Sequence, residues 1–158
     1  MKIALVAGGH LPIPPKGWGG VEHLIWNFHN QLKKIGDEVS IINTTSIDQI
    51  VEKLNSENFD AVHLHYDQYA NLMPHIKCNK RMVTSHYPYL ENPEPQYTFL
   101  YDLLNRSESH IVCLSDRIEK EFLHRGSDST NVSILPCGID VDLYSIDEEN
   151  VLYPDRSV

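Results

Sequence analysis

Cysteine, basic residues and long apolar runs are all scarce in this sequence, and each scarcity argues against a class of protein. The three cysteines are odd in number and widely spaced, which fits a reducing compartment better than a disulfide framework and offers no Cys-x-x-Cys zinc pair. No apolar run approaches the roughly 20 residues needed to span a bilayer, and the first residues show no signal-peptide pattern. Lys and Arg total 13 against 22 Asp and Glu, a formal net charge of −9, which disfavours nucleic acid as a partner. We therefore expect a cytoplasmic protein without a transmembrane segment, either free or peripherally attached to a membrane.

The sequence has instead the composition of one folded domain and an alternation of strand and helix patterns. Of its 158 residues, 41% are hydrophobic and 22% are charged, which is typical of a single domain with a buried core. Short apolar runs alternate with longer stretches of helical period, the pattern of βαβ units around a parallel sheet. We predict an α/β fold with a doubly wound parallel sheet.

These patterns predict six strands and four helices. Apolar residues at positions 21, 24, 25, 28 and 32 predict a helix that runs to Lys34 and stops at Gly36. Ser46 and Ser115 each precede a helical pattern as an N-cap. The predicted strands are 2–7, 39–43, 61–65, 81–85, 111–114 and 132–135, and the remaining predicted helix carries Tyr97, Leu100, Tyr101 and Leu104. We expect one domain over residues 1–144 and an acidic tail, or the start of an interdomain linker, over 145–158.

Residues just after the strands are the first candidates for a ligand site, because ligands of doubly wound sheets bind outside the carboxyl ends of the strands. Gly17, Gly19 and Gly20 stand where the first predicted helix begins, and backbone N–H groups at such a start can approach a phosphate or carboxylate. The same glycines also suit a plain turn between strand and helix, and the local pattern leaves both interpretations open. His86 follows the fourth predicted strand, where a substrate contact and a structural hydrogen bond are likewise both open.

The sequence disfavours the common cofactor sites. A dinucleotide site would need a third glycine at the position of Glu22 and an acidic residue at the end of the second strand, where Asn43 stands. The Gly-Lys-Ser/Thr element of P-loop NTPases is missing. His63 and His65 share one face of a strand, but no cysteine or carboxylate lies at metal-ligand spacing from them. We therefore predict neither a metal nor a cofactor.

Seven stretches, taken in order, carry a family resemblance. The chain resembles the N-terminal, acceptor-side domain of a retaining family 4 glycosyltransferase, and the resemblance extends to about Tyr144. Cys137 stands where the family usually has the asparagine of a Pro-Asn-Gly station. The stretches are MKIALV at 1–6, PPKGWGGVE at 14–22, LKKIGDEV at 32–39, FDAVHLH at 59–65, MVTSH at 82–86, IVCLS at 111–115 and VSILPCGID at 132–140.

The resemblance implies the GT-B architecture, in which two Rossmann-like domains face each other. The N-terminal domain of such an enzyme mainly binds the acceptor, and the C-terminal domain mainly binds the nucleotide sugar. This chain matches the first domain only. The implied function is therefore transfer of a sugar from a nucleotide-sugar donor to an unknown acceptor, with retention, once a C-terminal donor-binding domain in the same or another chain is joined to it. The chain alone is expected to be incomplete and inactive.

The resemblance also assigns roles to individual residues. It places Gly19 and Gly20 against the donor diphosphate and His86, as the catalytic residue, near the sugar being transferred. Backbone donors at a helix start suit the negative charge that develops on the leaving diphosphate. The further candidates for substrate binding are Trp18, Glu22, His65, Tyr87 and Ser115.

Two other functions remain open at the level of sequence. One is a non-catalytic carbohydrate- or nucleotide-binding domain that has lost its partner domain. The other is half of a sugar-nucleotide epimerase, which shares the GT-B architecture.

Overall fold

A parallel sheet of six strands forms the centre of the protein, whose computed structural model describes residues 1–86 and 95–138, with the backbone alone for 95–97. The strands are β1 (Lys2–Ala7), β2 (Glu38–Asn43), β3 (Ala61–Leu64), β4 (Arg81–Thr84), β5 (His110–Cys113) and β6 (Val132–Ile134). They lie in the order β2-β1-β3-β4-β5-β6, and every pairing between neighbours is parallel. This order confirms the predicted doubly wound α/β fold.

Four α-helices connect these strands in the described part of the chain. They are α1 (Gly20–Lys34), α2 (Ile47–Ser56), α3 (Pro95–Asn105) and α4 (Asp116–His124). Two of them begin with the predicted caps, since the hydroxyl of Ser46 accepts from the N–H of Gln49 and that of Ser115 from the N–H of Ile118. The helices agree with the sequence prediction to within a residue or two at their ends. None of the helices in the described ranges has the length and apolarity that crossing a membrane requires.

The alternation of side chains along β1 divides the core into two clusters. Ala4 and Val6 point into the larger cluster, which α2, α3 and α4 cover together with a 3-10 segment, Asp67–His75. Ile3, Leu5 and Ala7 point into the smaller cluster, which contains the fully buried Ile25 of α1. Among the described residues, α1 is thus the helix that packs on the second face of the sheet.

The 3-10 segment is the main element that the sequence did not predict. Its side chains are mostly buried, and Pro74 lies within it. The segment follows β3 directly and packs against α3 and β4, so it occupies the carboxyl end of the middle strands. The predicted end of the domain at 144 and the predicted tail at 145–158 lie outside the described residues.

We expect the Phe122→Ala substitution to lower the free energy of unfolding by about 3–5 kcal/mol, because it empties a fully enclosed site in the larger cluster. The ring of Phe122 is 0% exposed and lies 4.7 Å, centroid to centroid, from that of Tyr101. Phe99→Ala is the matched control, since that ring is 61% exposed and its removal is expected to cost no more than about 0.5 kcal/mol. Urea unfolding followed by circular dichroism measures both. Equal losses in the two variants would contradict the described core.

Candidate functional site

The candidate site lies at the carboxyl edge of the sheet, where the order of the strands reverses between β1 and β3. Such a reversal leaves a crevice outside the strand ends, since the connections on its two sides leave in opposite directions. The loop after β1 leads to the glycines at the start of α1, and β3 and β4 end next to each other. His65 and His86, which the sequence placed separately after two strands, are therefore brought together at this edge.

Three histidines form a continuous row across β3 and β4, which we call the histidine row: His63, His65 and His86. Nδ1 of His65 lies 3.1 Å from Nε2 of His86, and Nε2 of His63 lies 2.7 Å from the hydroxyl of Thr84. The ring centroids are 4.1 Å apart between His63 and His65 and 5.3 Å apart between His65 and His86. Alternation along β3 sets the first two on one face, and the β3–β4 register sets their partners beside them.

Burial keeps the histidine row uncharged at neutral pH. His63 is 3% exposed and His65 is 4% exposed. Burial lowers the pKa of His63 to about 4, and the nearby His86 adds to the effect. Burial also holds the pKa of His65 well below its usual range, with repulsion from His63 and His86 as the smaller causes. The pKa of His86 is lowered to about 4 by burial. The row therefore offers hydrogen bonds rather than positive charge.

The glycines at the start of α1 differ in what they demand of the backbone. Gly19 is the N-cap residue and has φ of +137°, a conformation that residues with a Cβ rarely adopt. A Cβ on Gly19 would also lie 2.8 Å from Oε2 of Glu22, whereas a Cβ on Gly20 would meet no atom within 4 Å. Among the described residues no side chain caps the helix, and N–H groups of a first turn without a side-chain cap are suited to an anion.

The remaining predicted site residues differ in their exposure and in their contacts. Trp18 is 89% exposed, on the loop that enters α1. Glu22 is half-buried in the first turn of that helix, beside Gly19. Ser115 follows β5, but its hydroxyl is engaged in capping α4. Tyr87 lies outside the described residues.

Asp67 and Ser85 belong to the same edge, and the sequence analysis missed both. Oδ2 of the buried Asp67 accepts a hydrogen bond from the hydroxyl of Ser85 at 3.1 Å. Tyr69, two residues further along, donates from its hydroxyl to the carbonyl oxygen of Gly8 at 3.3 Å and so ties the 3-10 segment to the loop after β1. The sequence did contain a signal for Asp67, because it is a carboxylate that follows the end of β3 by only a few residues.

A cavity of about 480 Å³ opens beside the row, on the face of the sheet that α1 covers. His63, His65 and Thr84 form its polar floor, and Phe28 stands edge-on to His63 with 5.8 Å between ring centroids. The described residues contain no cluster of three or more His, Cys, Asp or Glu side chains arranged to hold a metal ion. Apolar walls come from Leu24, Phe28, Val112, Leu114, Leu135 and Pro136.

Comparisons with known proteins agree with this arrangement. The family model described as Glycosyltransferase Family 4 matches residues 43–143. No curated protein matches the sequence.

Solved structures share the fold. AviGT4, a glycosyltransferase involved in avilamycin A biosynthesis, superposes with a TM-score of 0.58 at 16% identity, covering 88% of this chain and 42% of that one. Alr3699/HepE of Anabaena, in complex with UDP and glucose, superposes with a TM-score of 0.62 at 15% identity, covering 91% of this chain and 46% of that one. The chain thus spans less than half of the length of these structures.

We expect the protein to lose stability in mild acid because of the histidine row. The pKa of His63 is about 4 in the folded protein against 6.5 unfolded, so the unfolded chain binds more protons between these values. Stability is therefore full above about pH 6.5 and falls as the pH drops toward 4, with a slope approaching about 1.4 kcal/mol per pH unit for each such histidine. Urea midpoints measured at several pH values give the slope. His63→Gln, which retains an amide for Thr84, should lower the slope by about the share of one histidine, and an unchanged slope would refute the assignment.

The two glycines are expected to respond oppositely to alanine. Gly19→Ala should destabilise the protein by about 1–3 kcal/mol, because it forces a strained backbone conformation and a close contact with Glu22. Gly20→Ala should be neutral or stabilising by about 0.4–1 kcal/mol, since it restricts the unfolded chain at a position where a Cβ has room. Thermal unfolding of both variants tests the contrast. A destabilised Gly20→Ala variant would show that the start of α1 is not as described.

Proposed function

Since the chain belongs to Glycosyltransferase Family 4, we propose that it is the N-terminal half of an enzyme that transfers a sugar from a nucleotide sugar to an acceptor with retention of configuration. The second half is a C-terminal donor-binding domain, in the same or another chain. The observation that carries the proposal is the juxtaposition, at one edge of the sheet, of an uncapped helix start and a row of uncharged histidines.

A nucleotide sugar is the donor class best supported. Alr3699/HepE, which has the same fold, binds UDP with glucose in one structure and UDP-glucose in another. A nucleotide sugar presents a diphosphate and a sugar at fixed separation, and the edge offers a chemically suitable partner for each.

The start of α1 is the partner proposed for the diphosphate. Its unpaired N–H groups and the positive end of its dipole favour an anion. Gly20 leaves the approach clear, because it carries no side chain and the space where a Cβ would stand holds no atom within 4 Å. As the glycosyl bond breaks, negative charge builds on the leaving diphosphate, so these donors stabilise the transition state more than the ground state. This chain's part in the reaction uses no metal.

His86 is the partner proposed for the transferred sugar. It is half-buried at the end of β4, and its imidazole is neutral at physiological pH, so it binds sugar oxygens without repelling the positive charge that develops on the sugar. Trp18 contributes an exposed ring on which an acceptor or donor sugar can stack. Glu22 and Tyr87 complete the proposed substrate contacts, while Ser115 supports the edge through its cap.

We expect the chain to transfer no sugar alone, and to do so when fused to the C-terminal half of a family 4 glycosyltransferase. In that fusion His86→Ala should lower turnover at least about tenfold, equivalent to roughly 1.4 kcal/mol of transition-state stabilisation, with little change in melting temperature. His124→Ala, which removes an exposed imidazole of α4, is the matched control and should leave both unchanged. Release of UDP from UDP-glucose in the presence of sugar acceptors measures turnover.

Other outcomes of this experiment identify other functions. Binding of UDP-glucose by the fusion without release of UDP would indicate a non-catalytic binding domain. Acceptor-independent conversion to an epimer would indicate half of an epimerase. A large fall in melting temperature of His86→Ala with normal turnover per folded molecule would assign His86 a structural role only.

A further inference from the structure

The contact between His65 and His86 joins two neutral imidazoles. One proton lies between the two nitrogens, and it is bonded to one ring and accepted by the other. Nδ1 of His65 and Nε2 of His86 are 3.1 Å apart, a hydrogen-bond distance that requires one of them to donate and the other to accept. Each neutral imidazole carries a single N–H. The donating ring therefore carries its proton on the nitrogen in this bond, and the accepting ring carries its proton on its other nitrogen.

The surroundings of His65 favour one of the two arrangements. Its other nitrogen, Nε2, is buried without a hydrogen-bond partner among the described residues. If His86 donated the proton, Nε2 of His65 would carry an N–H with no acceptor, whereas donation by His65 leaves only a lone pair there. Buried N–H groups without an acceptor are the rarer of the two in folded proteins. His65 is consequently the donor.

The packing around His65 keeps its ring in this orientation. The ring of His63 lies 4.1 Å away and the ring of Phe28 stands edge-on at 6.5 Å, both centroid to centroid. His63 is itself held by the hydroxyl of Thr84 at 2.7 Å. The same reasoning applies to His63, whose Nδ1 is buried without a partner among the described residues, so its proton lies on Nε2, toward Thr84.

From this geometry we infer that His65 is a positioning residue, which donates from Nδ1 to Nε2 of His86 and thereby fixes His86 with its proton on Nδ1. No described residue forms a hydrogen bond with Nδ1 of His86, so this N–H has no acceptor in the described part of the chain, and a ligand is the acceptor we infer for it. His86 then presents a hydrogen-bond donor and cannot act as a base through that nitrogen. The ligand group opposite it must be an acceptor, such as a sugar or phosphate oxygen. This consequence rests on the function proposed above, but the tautomer does not.

Nitrogen-15 NMR of the imidazoles in the ligand-free 158-residue protein, at neutral pH, tests the tautomer directly. Protonated and unprotonated ring nitrogens give well separated shifts, and two-bond couplings to the ring protons assign them. We expect His86 to be protonated on Nδ1, with Nε2 accepting, and His65 to be protonated on Nδ1 as well. Protonation of His86 on Nε2 would overturn the inference.

Two substitutions at position 65 separate positioning from simple packing. His65→Asn retains an amide N–H near the place of Nδ1 and should keep His86 in the same tautomer. His65→Leu removes the donor and with it the bias toward one tautomer, so His86 should lose part of its Nδ1–H population to the Nε2–H form, which a free imidazole favours. Persistence of Nδ1–H as the sole form in His65→Leu would show that His65 does not set it. Should His65→Leu fail to fold, the wild-type and His65→Asn spectra still decide, because either can show the contrary tautomer.

Adding UDP-glucose to the same sample separates this inference from the proposed function. A change in the Nδ1–H signal of His86 on addition supports both. If no resonance moves either in this protein or in its fusion to a C-terminal donor-binding half, the proposed donor class is contradicted while the tautomer result is unaffected. If ligand shifts appear together with the Nε2–H form, the positioning role of His65 fails and nucleotide-sugar binding stands.

Discussion

The pairing of β3 with β4 is the constraint on which the candidate site depends. Their register sets Leu64 opposite Val83 and His63 opposite Met82. Thr84 and His86, the partners of the histidines on either side of Leu64, therefore lie two residues beyond the directly paired positions, on the same face of the sheet. A slip of one residue would turn the histidines of β3 to the other face of the sheet and separate them from both partners. The apolar side chains of β3 resist such a slip, because Val62 and Leu64 would then leave the larger core cluster. Packing of the core thus fixes the geometry of the polar row.

Most of the fold followed from periodicity in the sequence, and the exceptions have a common cause. Strands such as β1 are short apolar runs, and helices such as α1 repeat their apolar residues at the helical period; both kinds were predicted almost to the residue. The 3-10 segment Asp67–His75 has no such interval, since its buried side chains follow neither the period of a strand nor that of an α-helix. Asp67 was missed together with this segment, because a carboxylate becomes a candidate site residue only when its segment is known to lie at the carboxyl ends of the strands.

The sequence predicted several residues of the candidate site, but it did not predict the contacts between them. Alternation alone placed His63 and His65 on one face of a strand, and the position of His86 after β4 marked it as a candidate. Their hydrogen bond depends on two strands that are far apart in sequence, and strand pairing leaves no local signal. The glycines show the same limit, since the motif could not distinguish Gly19, which the backbone conformation requires, from Gly20, which has room for a side chain.

The unequal covering of the two sheet faces has a consequence for how the molecule opens. The larger cluster joins α2, α3, α4 and all six strands, whereas α1 packs mainly on β1 and β2, its own neighbours in sequence. Detaching α1 therefore leaves the larger cluster intact, because the helix contributes no residue to it. It follows that the helix that begins with the glycines and walls the cavity can open as a separate unit, and its amide hydrogens are expected to exchange through partial opening while those of β3 and β4 await global unfolding.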